Sequence, residues 1–192
     1  MIEELANIDL ERNFLSSAIK TKKFIEVAEL IRDEHFTVAG HREILKAIKK
    51  LDDSFRELSF TAVGEELRKS SPDSLNDLKM VGIEEATSDI EITVIELIEW
   101  HNKRELYRLS IKIQEELKDK TVETSVGGGA VTIKANGQKQ ILEMNLSLDI
   151  LKDAVEDEDA SIVADMIINA VNEVLEKAEE LAEKEMELVT GG

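Results

Sequence analysis

The stretch that decides the fold is ELYRLSIKIQEELKDKTVETSVGGG, residues 105–129. Its first part has apolar residues at spacings of 3, 4 and 4, the period of an amphipathic helix. Alternating β-branched residues and three glycines follow directly, and they predict a strand and a tight connection. One helix therefore leads straight into a region with a sheet. The apolar residues that define its stripe are Leu106, Leu109, Ile113 and Leu117.

The same helix extends upstream, because residues 89–120 contain neither Gly nor Pro. A second apolar stripe at Ile90, Val94 and Leu97 precedes the first. A continuous helix of this length measures about 48 Å at 1.5 Å per residue, which is too long for one small core. We therefore expect it to join two domains, residues 1–104 and residues 105–192, with the helix at 89–120 shared between them.

The region before this helix predicts a bundle of short helices. Asp9 is the expected N-cap of the first helix and Ser59 of a later one, since both side chains accept hydrogen bonds from backbone N–H groups. KKFIEVAELIRDEHF, residues 22–36, predicts one helix, and the turn around Pro72 precedes another. The expected core positions are Leu10, Phe14, Leu15, Ile19, Phe24, Val27, Leu30, Ile31, Ile44, Leu45, Ile48, Leu51, Val63 and Leu67.

The region after it predicts three strands and a second long helix. TVETS, GAVTIKA and QILEMNLS alternate as strands do, and Asn136–Gly137 predicts a two-residue type I′ hairpin turn. The acidic run EDED, residues 156–159, is the expected start of the last helix. The predicted fold is α+β with two domains: an all-α N-terminal domain, and a small domain with a three-stranded antiparallel sheet and a long C-terminal helix.

Composition limits the classes of partner. The net charge is −18, and residues 121–192 hold 16 acids against 5 bases. Such charge repels nucleic-acid phosphates and anionic lipid at long range. The chain has no cysteine, which fits a reducing compartment, and no signal peptide or apolar span is apparent. We expect a cytoplasmic protein without a membrane partner.

No pattern in the sequence predicts catalysis. Gly127–Gly129 is followed by a strand, whereas a phosphate cradle needs a helix N-terminus behind its glycines. His35, His41 and His101 lack the spacing of metal ligands, although Asp33 and Glu34 beside His35 leave a weak site open. We therefore expect a chain that is not an enzyme, with no catalytic, cofactor-binding or metal-binding residues.

The second domain resembles the YbaB nucleoid-associated family. The residues that carry the resemblance are IQEELKDKTVETSVGGGAVTIKANGQKQILEMNLSLDIL and MIINAVNEVLEKAEELAEKEM, in the family's order and spacing. The resemblance implies an intertwined homodimer and DNA binding of low sequence preference. Lys134, Lys139 and Lys152 are the candidate DNA contacts, with weak, salt-dependent binding expected from the acidic charge.

The first domain resembles the N-terminal domain of the DnaB-type replicative helicase. LERNFLSSAI, RDEHFTVAGHREILKAI, LSFTAVGEEL and IELIEWHNKRELYRLS carry the resemblance. It implies a helical domain that dimerises, forms the collar of a helicase ring and contacts primase. The chain has no GxxxxGK[ST] phosphate-binding motif, so a helicase motor is absent from it.

The helix at 89–120 therefore resembles the last helix of one family merged with the first helix of the other, and two interpretations follow. In the first, the chain is an engineered, rigid helix fusion of two dimer-forming domains, and its function is self-assembly as a homo-oligomer through two separate interfaces. In the second, it is a natural DNA-associated protein that meets a replication protein, such as primase, through one domain and touches DNA through the other.

Both interpretations require the second domain to dimerise. Its last helix has an apolar stripe broader than one three-stranded sheet is expected to cover, and a core of this size is marginal alone. We expect strands and long helices of two chains to form one core. The predicted interface residues are Leu106, Leu109, Ile113, Leu117, Val163, Ile167, Ala170, Val174 and Leu181, and Ala178 belongs to the same stripe of the last helix.

Overall fold

The computed structural model describes residues 6–87 and 89–190, with the side chains of residues 189 and 190 left out. The chain divides into two compact units, residues 1–107 and 108–192. The predicted architecture is confirmed: a helical unit, one long helix, and an antiparallel sheet with a long C-terminal helix. The helices of the first unit are α1 Ile8–Thr21, α2 Phe24–Val27, α3 Ala39–Asp53, α4 Phe60–Ser70, α5 Leu75–Ile83 and the start of α6 Ile90–Asp119, with 3-10 turns at Asp33–His35 and Pro72–Ser74.

The first unit closes around a well-filled apolar core. Each of its helices contributes, and the first half of α6 packs into the core through Ile90, Val94 and Leu97. Ser59 caps α4 as predicted, because its Oγ accepts a hydrogen bond from Ala62 N at 3.2 Å. The other predicted cap is wrong. Asn7, not Asp9, caps α1 by accepting a hydrogen bond from Leu10 N at 3.1 Å.

The predicted helix over residues 22–36 is also wrong, since α2 ends at Val27. Tertiary contacts explain the early end. Ile31 turns into the core, and its carbonyl oxygen accepts a hydrogen bond from Lys49 Nζ on α3 at 2.8 Å. Leu30, an expected core residue, is left 55% exposed.

A buried acid joins α1 to α3. Glu11 is fully buried, and its carboxylate lies 2.7 Å from His41 Nδ1. The backbone N–H of Thr37 donates to Glu11 Oε1 at 2.6 Å, and the Thr37 hydroxyl contacts the same oxygen. Burial raises the pKa of the Glu11 carboxyl, but the hydrogen bonds from His41 and Thr37 outweigh burial and hold the pKa below its usual value.

The second unit is a three-stranded antiparallel sheet with one long helix across it. The strand order is β1-β2-β3, and β2 is paired on both sides. The helix packs on β1 and β2, and it buries Ala170 and Val174 against Val131, Ile133 and Ala135. The elements are β1 Thr121–Val126, a 3-10 turn at Gly127–Gly129, β2 Val131–Asn136, β3 Ile141–Leu146, α7 Leu148–Glu156 and α8 Ser161–Thr190.

The β2–β3 hairpin is present, but its predicted two-residue type I′ turn is wrong. The connection is longer, and the Asn136 side chain accepts hydrogen bonds from the N–H groups of Gln138 and Gln140. The residue with positive φ is Lys139, at 61°. Gly137 is needed for another reason. A Cβ there would lie 2.8 Å from Leu117 Cδ2 and 2.9 Å from Leu117 O, at the end of α6.

The segment between β3 and the last helix also differs from the prediction. Residues 148–156 form the separate helix α7, which no pattern in the sequence predicted. The acidic run 156–159 therefore ends α7 and turns the chain, and α8 begins only at Ser161. Asp159 stabilises that start, because its Oδ1 accepts a hydrogen bond from Ser161 N at 2.8 Å.

Candidate nucleic-acid interface

The sheet of the second unit presents a polar outer face, opposite α8. Thr132 and Lys134 lie on this face, because their neighbours Val131, Ile133 and Ala135 point into the core. Antiparallel register places Glu123 of β1 and Glu143 of β3 directly beside Lys134. A predicted DNA contact thus lies between two carboxylates, which compete with a phosphate for its charge.

The other two predicted DNA contacts lie elsewhere and are each paired with an acid. Lys139 Nζ, in the β2–β3 connection, lies 3.0 Å from Glu179 Oε1 on α8. Lys152 Nζ, on α7, lies 3.8 Å from Asp149 Oδ1. A phosphate contact at either lysine must displace a carboxylate, so each such contact adds little net attraction.

Another lysine of the second unit is used within the fold. Lys177 Nζ donates to Glu123 O at 3.3 Å and Thr124 Oγ1 at 3.2 Å, and lies 2.9 Å from Glu173 Oε1. The hydrogen bond from the Thr124 hydroxyl, with that of Lys177, lowers the pKa of the Glu173 carboxyl. This cluster fastens α8 to β1 and engages the Lys177 ammonium group within the fold.

The glycine turn has the open conformation that a phosphate cradle needs, but not its setting. Gly127, Gly128 and Gly129 have φ of 65°, 66° and 99°, in the region that favours glycine. No heavy atom lies within 4 Å of a Cβ built on Gly128 or Gly129. Strand β2 follows, as predicted, so the glycines do not lead into the N-terminus of a helix.

The predicted interface residues of α8 are used mainly inside the chain. Ala170, Val174 and Ala178 are fully buried, and Val163 is nearly so. Ile167 and Leu181 are half-buried. The single sheet therefore already covers the centre of this stripe, and the part these residues play in a dimer stays a prediction.

The predicted interface residues of α6 range from exposed to buried along the helix. Leu106 is 67% and Leu109 39% exposed, Ile113 is half-buried, and Leu117 is buried in the second unit. The first two therefore remain available to another molecule. Their role in a dimer also stays a prediction.

The second unit has an uncovered apolar surface on β3 and on a helix, α7, that the sequence patterns did not predict. Helix α8 lies over β1 and β2, so the core-side residues of β3 are uncovered, and Ile141 and Met144 are 44% and 41% exposed. Helix α7 adds a row at Leu148, Leu151 and Val155, of which Leu148 and Val155 are more than 70% exposed. Their spacing of 3 and 4 is a helical signal that, once α7 is recognised, marks the row.

The three histidines lie in two separate places in the first unit. His41 is bound to Glu11, whereas the His35 ring lies 5.3 Å from the His101 ring. Burial, together with His101, lowers the pKa of His35 from 6.5 to about 4. In residues 6–87 and 89–190, no group of three or more acidic or imidazole side chains is placed to hold a metal ion.

The basic residues of the first unit are also mostly engaged. Lys20 Nζ donates to the carbonyl oxygens of Gly82 and Glu84, Lys49 Nζ donates to Ile31 O, and Lys50 pairs with Glu66.

Within the described ranges, no helix is both long and apolar enough to span a bilayer.

Comparison with known proteins assigns the two units separately. Residues 3–99 match the DnaB-like helicase N-terminal domain, and residues 106–192 match the YbaB/EbfC DNA-binding family. Both matches reach into α6 (Ile90–Asp119), so the two families meet inside one continuous helix.

Two relatives in sequence are nucleoid-associated proteins, and they correspond to the second unit. The chain is 46% identical over 81 residues to a nucleoid-associated protein of Ruminiclostridium cellulolyticum, a match that covers 42% of this chain and 67% of the relative. It is 48% identical over 77 residues to one of Shouchella clausii, covering 40% of this chain and 70% of the relative.

Two solved structures that resemble this chain are DnaB N-terminal domains, and they correspond to the first unit. The N-terminal domain of the DnaB helicase of Mycobacterium tuberculosis aligns with a TM-score of 0.53 and 16% identity, over 57% of this chain and 84% of that domain. That of Helicobacter pylori, described with its interactions with primase, aligns with a TM-score of 0.52 and 21% identity, over 60% and 93%. Because both sequence identities are low, these two structural alignments show a shared fold and nothing more.

The part of the helicase that matches is its N-terminal domain, and the other family is described by DNA binding. The order of the two matches, their extent and the helix they share agree with the architecture of the two units. The chain therefore belongs to two families: its first unit is a DnaB-like helicase N-terminal domain, and its second is a member of the YbaB/EbfC DNA-binding family.

Proposed function

We propose that this protein is a non-catalytic DNA-associated adaptor. Its second unit binds DNA as a homodimer, and its first unit binds a replication protein. The observation that carries the proposal is the 46% identity over 81 residues to a nucleoid-associated protein, together with the family match over residues 106–192. The adaptor acts in the cytoplasm, at the nucleoid.

DNA binding by this unit is weak and depends steeply on salt. Residues 121–192 carry 16 acids against 5 bases, and Lys139 and Lys152 are each paired with an acid. Binding must therefore exchange intramolecular ion pairs for phosphate contacts. A dimer doubles the number of phosphate contacts along one duplex, which is the main source of its affinity.

The dimer forms through the apolar surface that α8 leaves uncovered. The core side of β3 exposes Ile141 and Met144, and β3 is paired only with β2 among the described strands. An apolar edge strand is a template for a second copy. Leu109 of α6 and the row on α7 are further exposed apolar residues of the same unit.

Primase is the proposed replication partner of the first unit. Support comes from the shared fold with the N-terminal domain of Helicobacter pylori DnaB helicase, which is described with its interactions with primase. Binding of primase to the full chain agrees with the proposal. The unfolded second unit, added as a competitor, should not bind the primase.

Two substitutions on the outer face of the sheet test DNA binding. Lys134→Ala removes a candidate phosphate contact and lowers affinity, whereas Glu143→Gln removes the carboxylate beside Lys134 and raises it. Fluorescence anisotropy with a labelled duplex at about 50 and 200 mM salt measures both affinities. In Lys134→Ala, the slope of log affinity against log salt concentration should become shallower by about one per protomer, because one phosphate contact is lost. Absence of wild-type binding at micromolar protein and low salt contradicts the proposal.

One matched pair on β3 tests the dimer. Met144→Lys places a charge on the uncovered core side, and we expect the dimer dissociation constant to rise by about 30-fold or more, about 2 kcal/mol. Glu143→Lys alters the neighbouring residue on the opposite face and leaves the dimer intact. Sedimentation of the two variants separates these outcomes, and a monomeric wild type at micromolar concentration contradicts the dimer.

A second candidate function is self-assembly, as expected of a helix fusion between two dimer-forming domains. It is favoured by exposed apolar side chains on each unit, such as Ile92 and Ile95 on the first and Met144 on the second. Two different two-fold contacts on one chain produce a ring or a filament, depending on their geometry. Native mass spectrometry that finds species larger than a dimer, together with no DNA binding, favours this candidate.

A further inference from the structure

The first unit carries a groove that the proposed function does not use. It is formed by α2, the turn after it and the end of α3, and its volume is about 610 Å³. Its apolar residues are Ile25, Ala28 and Leu30, of which Ile25 is 70% and Leu30 55% exposed. Phe24 and Val27 of the same short helix fill the core, so Ile25 faces outward by the geometry of the helix.

Four carboxylates line the groove together with these apolar residues: Glu26, Glu29, Asp52 and Asp53. Among the described residues, no side chain within 4 Å forms an ion pair with any of the four. Nearby bases are engaged with other acids, since Lys22 lies 2.5 Å from Glu57 and Arg56 lies 3.7 Å from Glu66. The groove therefore combines apolar contact area with uncompensated negative charge.

An aromatic residue in an unfavourable conformation follows closely in sequence the α3 residues that line this groove, Asp52 and Asp53. Phe55 follows α3 two residues after Asp53, with φ of 53°. Its N–H donates to Asp52 O, and Arg56 N–H donates to Leu51 O, both at 2.9 Å, which is the Schellman arrangement that normally carries glycine. The Phe55 side chain is 99% exposed.

Phe55 therefore costs the free chain stability without any packing in return. A bulky residue in the left-handed region is strained, and full exposure leaves its ring in water. A sequence that tolerates both costs at one position gains something that the isolated chain does not show. Contact with another molecule supplies that gain, because an exposed aromatic ring is a frequent anchor in interfaces.

We propose that this groove, with Phe55, is a docking surface for a cationic amphipathic helix of a partner protein. Apolar side chains of the helix pack on Ile25, Leu30 and Phe55, and its lysines or arginines pair with the carboxylates of the rim. The inference rests on the proposed role of the first unit as a protein-binding module, and it specifies the chemistry of the partner.

Charge decides against the other occupants. DNA and anionic lipid are repelled by four uncompensated carboxylates. A second copy of this chain has a net charge of −18, and its exposed α7 row stands among Asp149, Asp153 and Glu156. Like charges across an interface are unfavourable, so a copy of this chain is a poor occupant.

The test uses the full chain and a synthetic probe. The probe is a fluorescein-labelled peptide of about 18 residues, or about five helical turns, with leucines on one face and lysines on the other. A peptide with the same composition in scrambled order controls for charge alone. We expect micromolar binding of the amphipathic peptide in fluorescence anisotropy and at least tenfold weaker binding of the scrambled one.

Two sets of substitutions remove the same charge from different places. The groove variant carries Glu26→Gln, Glu29→Gln, Asp52→Asn and Asp53→Asn, and we expect its dissociation constant for the peptide to rise at least tenfold. The control variant removes four acids from the second unit, through Glu156→Gln, Asp157→Asn, Glu158→Gln and Asp159→Asn. Its affinity for the peptide stays within about twofold of the wild type if the groove is the site.

Phe55→Gly keeps the test decisive if the groove variant folds poorly. Glycine suits the positive φ, so this variant melts at a higher temperature than the wild type while it binds the peptide at least fivefold more weakly. A variant of higher Tm that binds as well as the wild type overturns the proposal, as does an equal effect of the two four-fold variants.

The same experiments keep this inference separate from the proposed function. DNA binding and dimerisation of the groove variant are measured in parallel and should not change, because its substitutions lie in the first unit. Primase binding that survives in the groove variant, with peptide binding lost, leaves primase on another surface and the groove to a different partner. Absence of peptide binding by the wild type overturns the groove inference alone.

Discussion

The two units of this chain differ in how completely each fills its own core. Among the described residues, the connected apolar core cluster of the first unit contains 21 buried side chains, whereas that of the second contains five, which are Val131, Ile133, Ala135, Ala170 and Val174. We therefore expect the first unit to fold alone and the second to depend more on contacts outside its own core. The same second unit leaves Ile141 and Met144 of β3 uncovered beside its core.

The comparison also separates two uses of exposed apolar side chains. In the second unit they continue the core surface of the sheet, as an incomplete domain does when a second copy completes it. In the first unit, Phe55 and Ile25 stand apart from a core that is already closed. An incomplete core points to association with a copy, and a complete core with outlying apolar residues points to a different partner.

The largest expected effect is the unfolding of the second unit while the first unit stays folded. Val174→Asp buries a carboxylate without a partner between α8 and the sheet, at a cost of about 3–5 kcal/mol. We expect hydrogen exchange by mass spectrometry to show residues 121–190 unprotected, the dimer lost, and residues 8–83 still protected.

Ile168→Asp is the matched control on the same helix. Ile168 is 56% exposed, so the substitution should change the free energy of unfolding by less than about 0.5 kcal/mol. Unfolding of the first unit together with the second in Val174→Asp would show that the two cores are not independent.

The next effect concerns the helix that both units share. Lys103→Pro removes a backbone donor inside α6 and costs about 3 kcal/mol or more. Lys103 is the better site than Arg104, because Arg104 is buried and donates to His35 O at 2.9 Å. We expect small-angle scattering to record a change in size and shape.

Lys103→Ala is the control for this substitution. It removes the contact of Lys103 with the Trp100 ring but keeps the helix. Unchanged size and shape of the Lys103→Pro assembly in solution would contradict the idea of a rigid shared helix.

The third effect is a difference in acid stability. The pKa of His35 is about 4 in the folded chain and about 6.5 when unfolded, so the unfolded state binds more protons between these values. The first unit therefore loses stability as pH falls from about 6.5 to 4, by about 2 kcal/mol after allowance for solvent screening. The lowered pKa of Glu11 adds a further loss as pH falls below 4.5.

Fluorescence of Trp100, the single tryptophan, reports unfolding of the first unit across this range. In His35→Gln the decline between pH 6.5 and 4.5 should flatten, while the loss below pH 4.5 remains. An identical pH profile in the variant and the wild type would contradict the assignment to His35.

The smallest effects come from two glycines that act in opposite directions. Gly137→Ala brings a Cβ against the side chain and backbone of Leu117, and we expect a loss of about 1–3 kcal/mol in the second unit. Gly64→Ala in α4 places its Cβ 3.5 Å from Leu78 Cδ2, an ordinary contact, and should stabilise the first unit by about 0.5–1 kcal/mol. Thermal melts followed by unit-resolved hydrogen exchange measure both, and a stable Gly137→Ala chain would contradict the close approach at Leu117.

Much of the fold follows from local patterns in the sequence. The 3, 4 and 4 spacing and the absence of breakers predict α6, and alternation with β-branched residues predicts β1, β2 and β3, each of which is present. The predicted α8 stripe is buried at its centre, since helical period alone determines which residues share a face.

The site could be predicted less well, because the surroundings of a lysine are set by residues far away in the sequence. Lys139 pairs with Glu179 and Lys134 lies between Glu123 and Glu143, none of which its local sequence indicates. The exposed row on α7 was missed because nine residues between a strand and an acidic turn give too short a periodic signal.

The sequence by itself determined the two families, the order of the elements and the helix that joins them, because each depends on local spacing. The tertiary structure alone decided where α2 ends, why Gly137 is needed and which strand α8 leaves uncovered. Lys49 of α3 accounts for the end of α2, because its Nζ donates a hydrogen bond to Ile31 O. Leu117 of α6 accounts for Gly137, because a Cβ there would lie against it. The third follows from a helix too narrow for a three-stranded sheet, so Ile141 and Met144 stay exposed in the single chain.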